Sequence, residues 1–145
     1  MGLTYADITL ANGADTYLAK LGHIPKEEVR QMKVSALVDS GAYMLVINEN
    51  IRTQLGLPTH EQHSAKLADD SIIPCDIVGP VDIFFENRAT TCRAIVLPGD
   101  SQVLLGAIPI EDMDVLIDLK NNKLIVNPKH PYVAETMLVS CNLVR

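Results

Sequence analysis

Ser35-Ala36-Leu37-Val38-Asp39-Ser40-Gly41-Ala42 is the stretch on which the reading of this chain turns. An apolar run ends abruptly in an acid, a hydroxyl residue and a glycine. A carboxylate directly after Ala36-Leu37-Val38 is costly to bury unpaired, so it needs a hydrogen-bond network or a partner that shares its proton. The bland reading is a turn that closes a strand, with Ser40 bonding backbone and Gly41 taking an unusual φ. Asp-Ser/Thr-Gly arises by chance in about one chain in fifteen of this length. The tripeptide alone therefore decides nothing, and its surroundings must.

Outward from it, short apolar runs separated by turn signals recur roughly every ten residues, the rhythm of an all-β protein. The pattern predicts strands at Tyr5–Leu10, Thr16–Leu21, Arg30–Val38, Met44–Ile47, Glu61–Leu67, Ile72–Val78, Val81–Phe85, Thr90–Leu97, Val103–Leu105 and Lys123–Val126. Turns fall at Asn12-Gly13, Asp69-Asp70, Gly79-Pro80, Asn87, Pro98-Gly99-Asp100 and Asn121-Asn122. Two short helices interrupt the strands. Asn48 caps one that runs to Leu55 and stops at Gly56, with Ile51 and Leu55 on one face. The other starts at Pro109 and turns Ile110, Met113 and Leu116 inward, with Glu111 and Asp112 in its first turn. No repeat or linker divides the chain.

At 145 residues and 48% hydrophobic, the sequence has the size and composition of one folded domain. It has no Trp, two Phe and four Tyr, so its core must be aliphatic. The net charge of −6 comes without any basic stripe, which argues against nucleic acid as a partner. The start lacks a secretory pattern, Gly2 lacks the Ser or Thr of a myristoylation signal, and no run reaches membrane-helix length. A cytoplasmic protein without a membrane partner is expected. Cys75, Cys92 and Cys141 are widely spaced and read as buried thiols rather than a disulfide or zinc framework. His60 and His63 precede no third ligand and would diverge on a strand, so no metal is expected. No Gly-x-Ser-x-Gly elbow is present.

A second apolar segment ending in glycine, Val103-Leu104-Leu105-Gly106, lies far downstream and leads into a helical pattern. The order from about Ala6 to Pro128 resembles the retropepsin-like aspartic peptidases. It looks closest to bacterial single-domain members, through Leu37-Val38-Asp39-Ser40-Gly41-Ala42 and the stretch from Leu104-Leu105-Gly106 to Glu111-Asp112-Met113-Asp114 and Ile117-Asp118. The resemblance implies an all-β, closed-barrel-like retropepsin (acid protease) fold over residues 1–128, with residues 129–145 as an extension. It implies that Asp39 is the catalytic carboxylate and that Ser40 ties two motif loops together across a dimer. Gly41 would let the backbone orient the carboxylate, with Ala42 completing the motif. Leu104, Leu105 and Gly106 would pack beneath the loop.

The motif occurs once, whereas two-lobed relatives carry it twice, so the site implied is half of one and a homodimer is required. The implied activity is cofactor-free hydrolysis of a peptide or protein substrate. A flap from about Lys66 to Ile77, with Ala68, Asp69, Asp70, Ser71 and Ile72 at its tip, would close over that substrate. The acidic tip departs from glycine-rich viral flaps. Viral relatives also carry an Asp and an Arg that interact where this chain has Tyr43 and Ala107, as expected if packing replaces the salt bridge. The rival reading is a catalytically silent dimer of the same fold that binds peptides or serves assembly. For the tail after Lys129, interleaving with a partner, removal, or a strand on its own subunit all stay open.

Overall fold

The computed structural model describes residues 2–138. Strand β1 (Tyr5–Asn12) runs antiparallel to β2 (Gln31–Val38), with Tyr5 opposite Leu37 and Ala11 opposite Gln31. Alternation sets the faces: Ala6, Ile8 and Leu10 are buried while Tyr5 and Asp7 are exposed. After β2 come β3 (Leu45–Asn48), helix α2 (Glu49–Leu55), β4 (Thr59–Lys66), β5 (Ile72–Phe85), β6 (Arg88–Leu97) and the two-residue β7 (Leu104–Leu105). The order across the sheet is β1-β2-β7-β3-β6-β5-β4. A further pairing of β1 with β5 closes six of these strands into a ring and leaves β4 outside it. Helix α3 (Ala107–Asp112) and a separate hairpin of β8 (Val115–Asp118) and β9 (Lys123–Val126) follow.

The core inside the ring is aliphatic. Leu10, Leu45, Ile47, Leu55, Val78, Val81, Ile83, Leu105 and Met113 are fully buried. Each such side chain contributes about 1.5–3 kcal/mol by leaving water, most of it offset by lost conformational entropy. Helix α2 forms as its sequence requires. The Asn48 side chain accepts from the Ile51 amide at 3.0 Å, Gly56 ends the helix in the left-handed region at φ 63°, and Ile51 and Leu55 are buried.

Three segments depart from the sequence expectation. Thr16–Leu21 is not a strand: residues Gly13–Lys20 form a helix, α1, that precedes a short 3-10 turn at Lys26–Glu28. Asn12, expected in a turn, is its buried cap. Its Oδ1 accepts from the Ala14 and Asp15 amides, and its Nδ2 donates to the Leu55 carbonyl at 2.8 Å. Asp15 then takes the guanidinium and backbone amide of Arg30, which hold its carboxyl below the usual carboxylate range. Gly79-Pro80 does not break the chain either. Strand β5 passes straight through it, and the ladder to β6 shifts register between Val78 and Val81. A bulge tolerates the missing proline amide.

The third departure is at α3, which starts at Ala107 rather than Pro109. Glu111 and Asp112 therefore occupy its last turn, where Asp112 accepts a hydrogen bond from Thr90 Oγ1 at 2.5 Å. Ile110 and Met113 do turn inward, but Leu116 lies on β8 and is 44% exposed.

Candidate active site

The loop after β2 is fixed from several sides. Leu37 and Asp39 donate their amides to the Val103 and Leu105 carbonyls at 2.8 and 3.0 Å, and between them Val38 donates to the Thr4 carbonyl at 2.8 Å. These bonds exist because β7 lies between β2 and β3. Leu104 pairs in parallel with Leu37 and in antiparallel with Val46. Beyond Asp39 the chain turns at once. The Ala42 amide donates to the Asp39 carbonyl at 3.0 Å, and the Gly41 amide donates to Asp39 Oδ1 at 2.9 Å. A β-carbon on Gly41 would stand 3.1 Å from that same oxygen.

From the other side, Ala107 and Ile108 donate their amides to the Ala42 and Tyr43 carbonyls at 2.8 and 3.1 Å. Gly106 is pressed against the loop backbone, so the loop, β7 and the start of α3 form one hydrogen-bonded unit. Asp39, Ser40, Gly41, Ala42, Leu104, Leu105 and Gly106 are thus brought together. Asp39 and Ala42 are half-buried, Ser40 and Gly41 are exposed, and Leu105 and Gly106 are buried. Such an arrangement presents a carboxylate on a rigid loop with its hydroxyl neighbour free to reach outward.

Packing does not replace the absent salt bridge within one chain. Tyr43 is 71% exposed, as its position on the open side of the loop dictates.

The tip residues sit together on the hairpin of β4 and β5, in which Lys66 pairs with Ile72. Ala68, Asp69, Asp70, Ser71 and Ile72 are all exposed. The Leu67 amide donates to the Ser71 carbonyl, and Asp70 takes a left-handed φ of 66°. Asp69 turns its charge onto its own loop: Oδ1 accepts from the Ser71 hydroxyl and amide, which hold its carboxyl below the usual range. Asp70 pairs with Lys66 at 3.5 Å.

His60 and His63 are both exposed on β4; His63 meets Glu61, which also takes Arg93. Among the described residues no three His, Cys, Asp or Glu side chains are placed to hold a metal ion, and no helix is long and apolar enough to cross a membrane. Cys75 is buried and Cys92 half-buried; burial, with Asp82 and Asp112 nearby, pushes the Cys92 thiol up to about 12. Cys141 lies outside the described residues.

One cluster escaped the sequence reading. Asp114, at the end of α3, accepts from Asn127 Nδ2, His130 Nδ1 and the Glu135 amide at 2.9, 2.7 and 3.0 Å. Those bonds, led by that from the Glu135 amide, lower its carboxyl pKa to about 2. Buried Arg88 donates to the His130 carbonyl, and Asn87 donates to the Pro131 carbonyl at 2.9 Å. The first residues of the tail are therefore bonded to their own subunit, and not as a strand. Asp114 takes a left-handed φ of 54° just past the helix end, a conformation the sequence does not announce.

The profile of a family described as aspartyl protease matches residues 27–107, more than half of the chain. Among curated proteins, none matches. Of solved structures, the crystal structure of the retroviral protease-like domain of Ddi1 from Leishmania major is similar at 15% identity and a TM-score of 0.55. The similarity covers 88% of this chain and 90% of that one. It establishes the retropepsin-like fold, as expected from the sequence.

Proposed function

This chain belongs to the aspartyl protease family, and from that premise we propose that it is an aspartic endopeptidase that works as a symmetric homodimer. The observation that carries the proposal is the open, rigid loop that offers a single carboxylate, Asp39, beside an exposed Ser40. Its likeness to bacterial single-domain members rests on the motif stretches around Asp39 and Gly106.

In the dimer two Asp39 side chains hold one water between them. Like charges so close cannot both ionise cheaply, so the pair shares a proton. The apparent pKa values then belong to the pair. The ionised member takes a proton from the water as its oxygen attacks the peptide carbonyl. The protonated member donates to the carbonyl oxygen, and the tetrahedral centre collapses with a proton delivered to the departing nitrogen. The products are a carboxylate and an amine.

Ser40 links the two loops across the axis, while Gly41, Ala42 and the Leu104-Leu105-Gly106 segment keep each carboxylate aimed. The hairpin carrying Ala68–Ile72 closes over an extended substrate and excludes water. No cofactor, metal or nucleic acid takes part, and the setting is the cytoplasm.

Cleavage of a diverse peptide library between pH 3 and 7 by the wild type, and not by Asp39→Asn, is the expected result. Cleavage by both would sink the mechanism. Silence from both, in proteins shown to be dimers, would favour a peptide-binding or assembly module.

A further inference from the structure

Two acids are buried among the described residues, and their surroundings differ sharply. Asp15 takes three hydrogen bonds from Arg30, two of them from the guanidinium. Asp82 is 8% exposed and accepts a single one, from the Thr91 hydroxyl to Oδ1 at 2.6 Å. No cation among the described residues pairs with it. A carboxylate accepts up to about four hydrogen bonds, and a buried charge left short of donors is costly. Alternation explains how the acid comes to be there. Val81 and Ile83 enter the core, which turns Asp82 to the outer face of β5, opposite Ala11 of β1.

Over Asp82 lies a cleft of about 300 Å³ rather than a packed layer. Helix α1 forms one wall through Thr16, Tyr17 and Lys20, which share a face at helical spacing. Pro80 and Thr91 line the cleft from the sheet. The start of the helix is pinned to the bulge of β5, where a β-carbon on Gly13 would stand 3.0 Å from the Pro80 ring. Tyr17 is 57% exposed, which leaves its ring available to a ligand. A carboxylate with an aromatic side chain beside it suits a guanidinium or ammonium group on an aliphatic stem. Lys20, a cation in the same lining, repels such a group unless the ligand also carries an anion.

We propose that this cleft binds a basic amino acid, either free or as the C-terminal residue of a peptide. The ligand's cation meets Asp82, its stem lies along Tyr17, and its carboxylate meets Lys20. Both charges of the cleft then have a partner, which neither an amine alone nor an acid alone provides. The net charge of −6 adds a general attraction for cations. The cleft is separate from the Asp39 loop. Ala11, opposite Asp82, lies six residues along β1 from Tyr5, or about 20 Å, and Tyr5 pairs with Leu37 at the loop end. The proposal therefore stands independently of the peptidase reading.

The test is a proton–nitrogen NMR titration of the full chain with L-arginine, L-citrulline, arginine amide and the tripeptide Ala-Ala-Arg. L-Arginine should move the amides of Tyr17, Asp82 and Thr91 saturably, whereas L-citrulline, which lacks the cation, should not. Asp82→Asn keeps an oxygen for Thr91 and removes the charge. It should weaken L-arginine about 10-fold or more, the scale of a hydrogen bond to a charged group. Lys20→Gln, at an exposed position that the fold does not need, should weaken L-arginine about 3-fold and leave arginine amide unchanged. Tighter binding of Ala-Ala-Arg than of L-arginine identifies a chain terminus as the ligand, and the reverse order identifies the free amino acid. Equal shifts with L-citrulline, no shifts with L-arginine, or wild-type affinity in both variants overturns the site.

Discussion

Gly106 lies so close to Ala42 that an added β-carbon would stand 2.8 Å from the Ala42 carbonyl oxygen, and it would be nearer still to that of Met44. Both obstacles are backbone, and both belong to the loop that carries Asp39. The φ of Gly106, −89°, suits any residue, so space alone selects glycine here. Gly106→Ala should therefore cost about 1–3 kcal/mol, the range for forcing atoms into a packed site. Urea unfolding measures it, and an unchanged midpoint would show that the loop yields freely.

Gly41 answers a different question, because it is exposed and its neighbour is the Asp39 carboxylate itself. Gly41→Val should leave the urea midpoint near that of the wild type and lower kcat by about 100-fold, the scale of a misplaced reacting group. Equal losses of stability and rate would remove the argument that this glycine aims the carboxylate.

Asn12→Ala removes a helix cap and orphans the buried Leu55 carbonyl. Together these should cost roughly 2–4 kcal/mol. The loss should appear in chemical denaturation, with α2 as well as α1 losing amide protection, since Asn12 joins the two. Loss confined to α1 would deny that coupling.

Asp114 gives the tail a pH dependence whose sign is fixed. Its carboxyl has a pKa of about 2 when folded and 3.8 ordinarily, so the folded state binds fewer protons between those values. The stabilisation is fully present above the ordinary value and is lost as pH falls through about 2. The amide resonance of Glu135 should accordingly move toward its unfolded position as pH drops from 4 to 2. In Asp114→Asn, which tolerates the left-handed φ, that movement should be absent. A titration identical in both proteins would place the anchor elsewhere.

Much of the site was legible because its signals are local and chemical. Asn48 and Gly56 bracket α2 as their types demand, and the alternation of β2 delivers Asp39 to a loop at its end. What failed depended on distant partners. The short apolar run at Thr16–Leu21 reads as a strand only by its place between turn signals; its Leu, Ala and Lys residues suit a helix, and Asn12 reaching Leu55 and Asp15 reaching Arg30 settle one there. Gly79-Pro80 looked like an ending, yet a shifted ladder carries β5 through it. At Val115–Asp118 a four-residue strand was absorbed into the preceding helical pattern, since only pairing with Lys123–Val126 distinguishes it. The Asp114 cluster was invisible for the same reason: its members come together only when the tail folds back.

The seating of β7 between β2 and β3 also has a consequence for synthesis. The bonds that hold Asp39 come from Val103, Leu105 and Ala107, which leave the ribosome long after it. Contacts so distant in sequence form late, after the entropy of a long loop has been overcome. A part-made chain consequently carries its aspartate on no fixed loop.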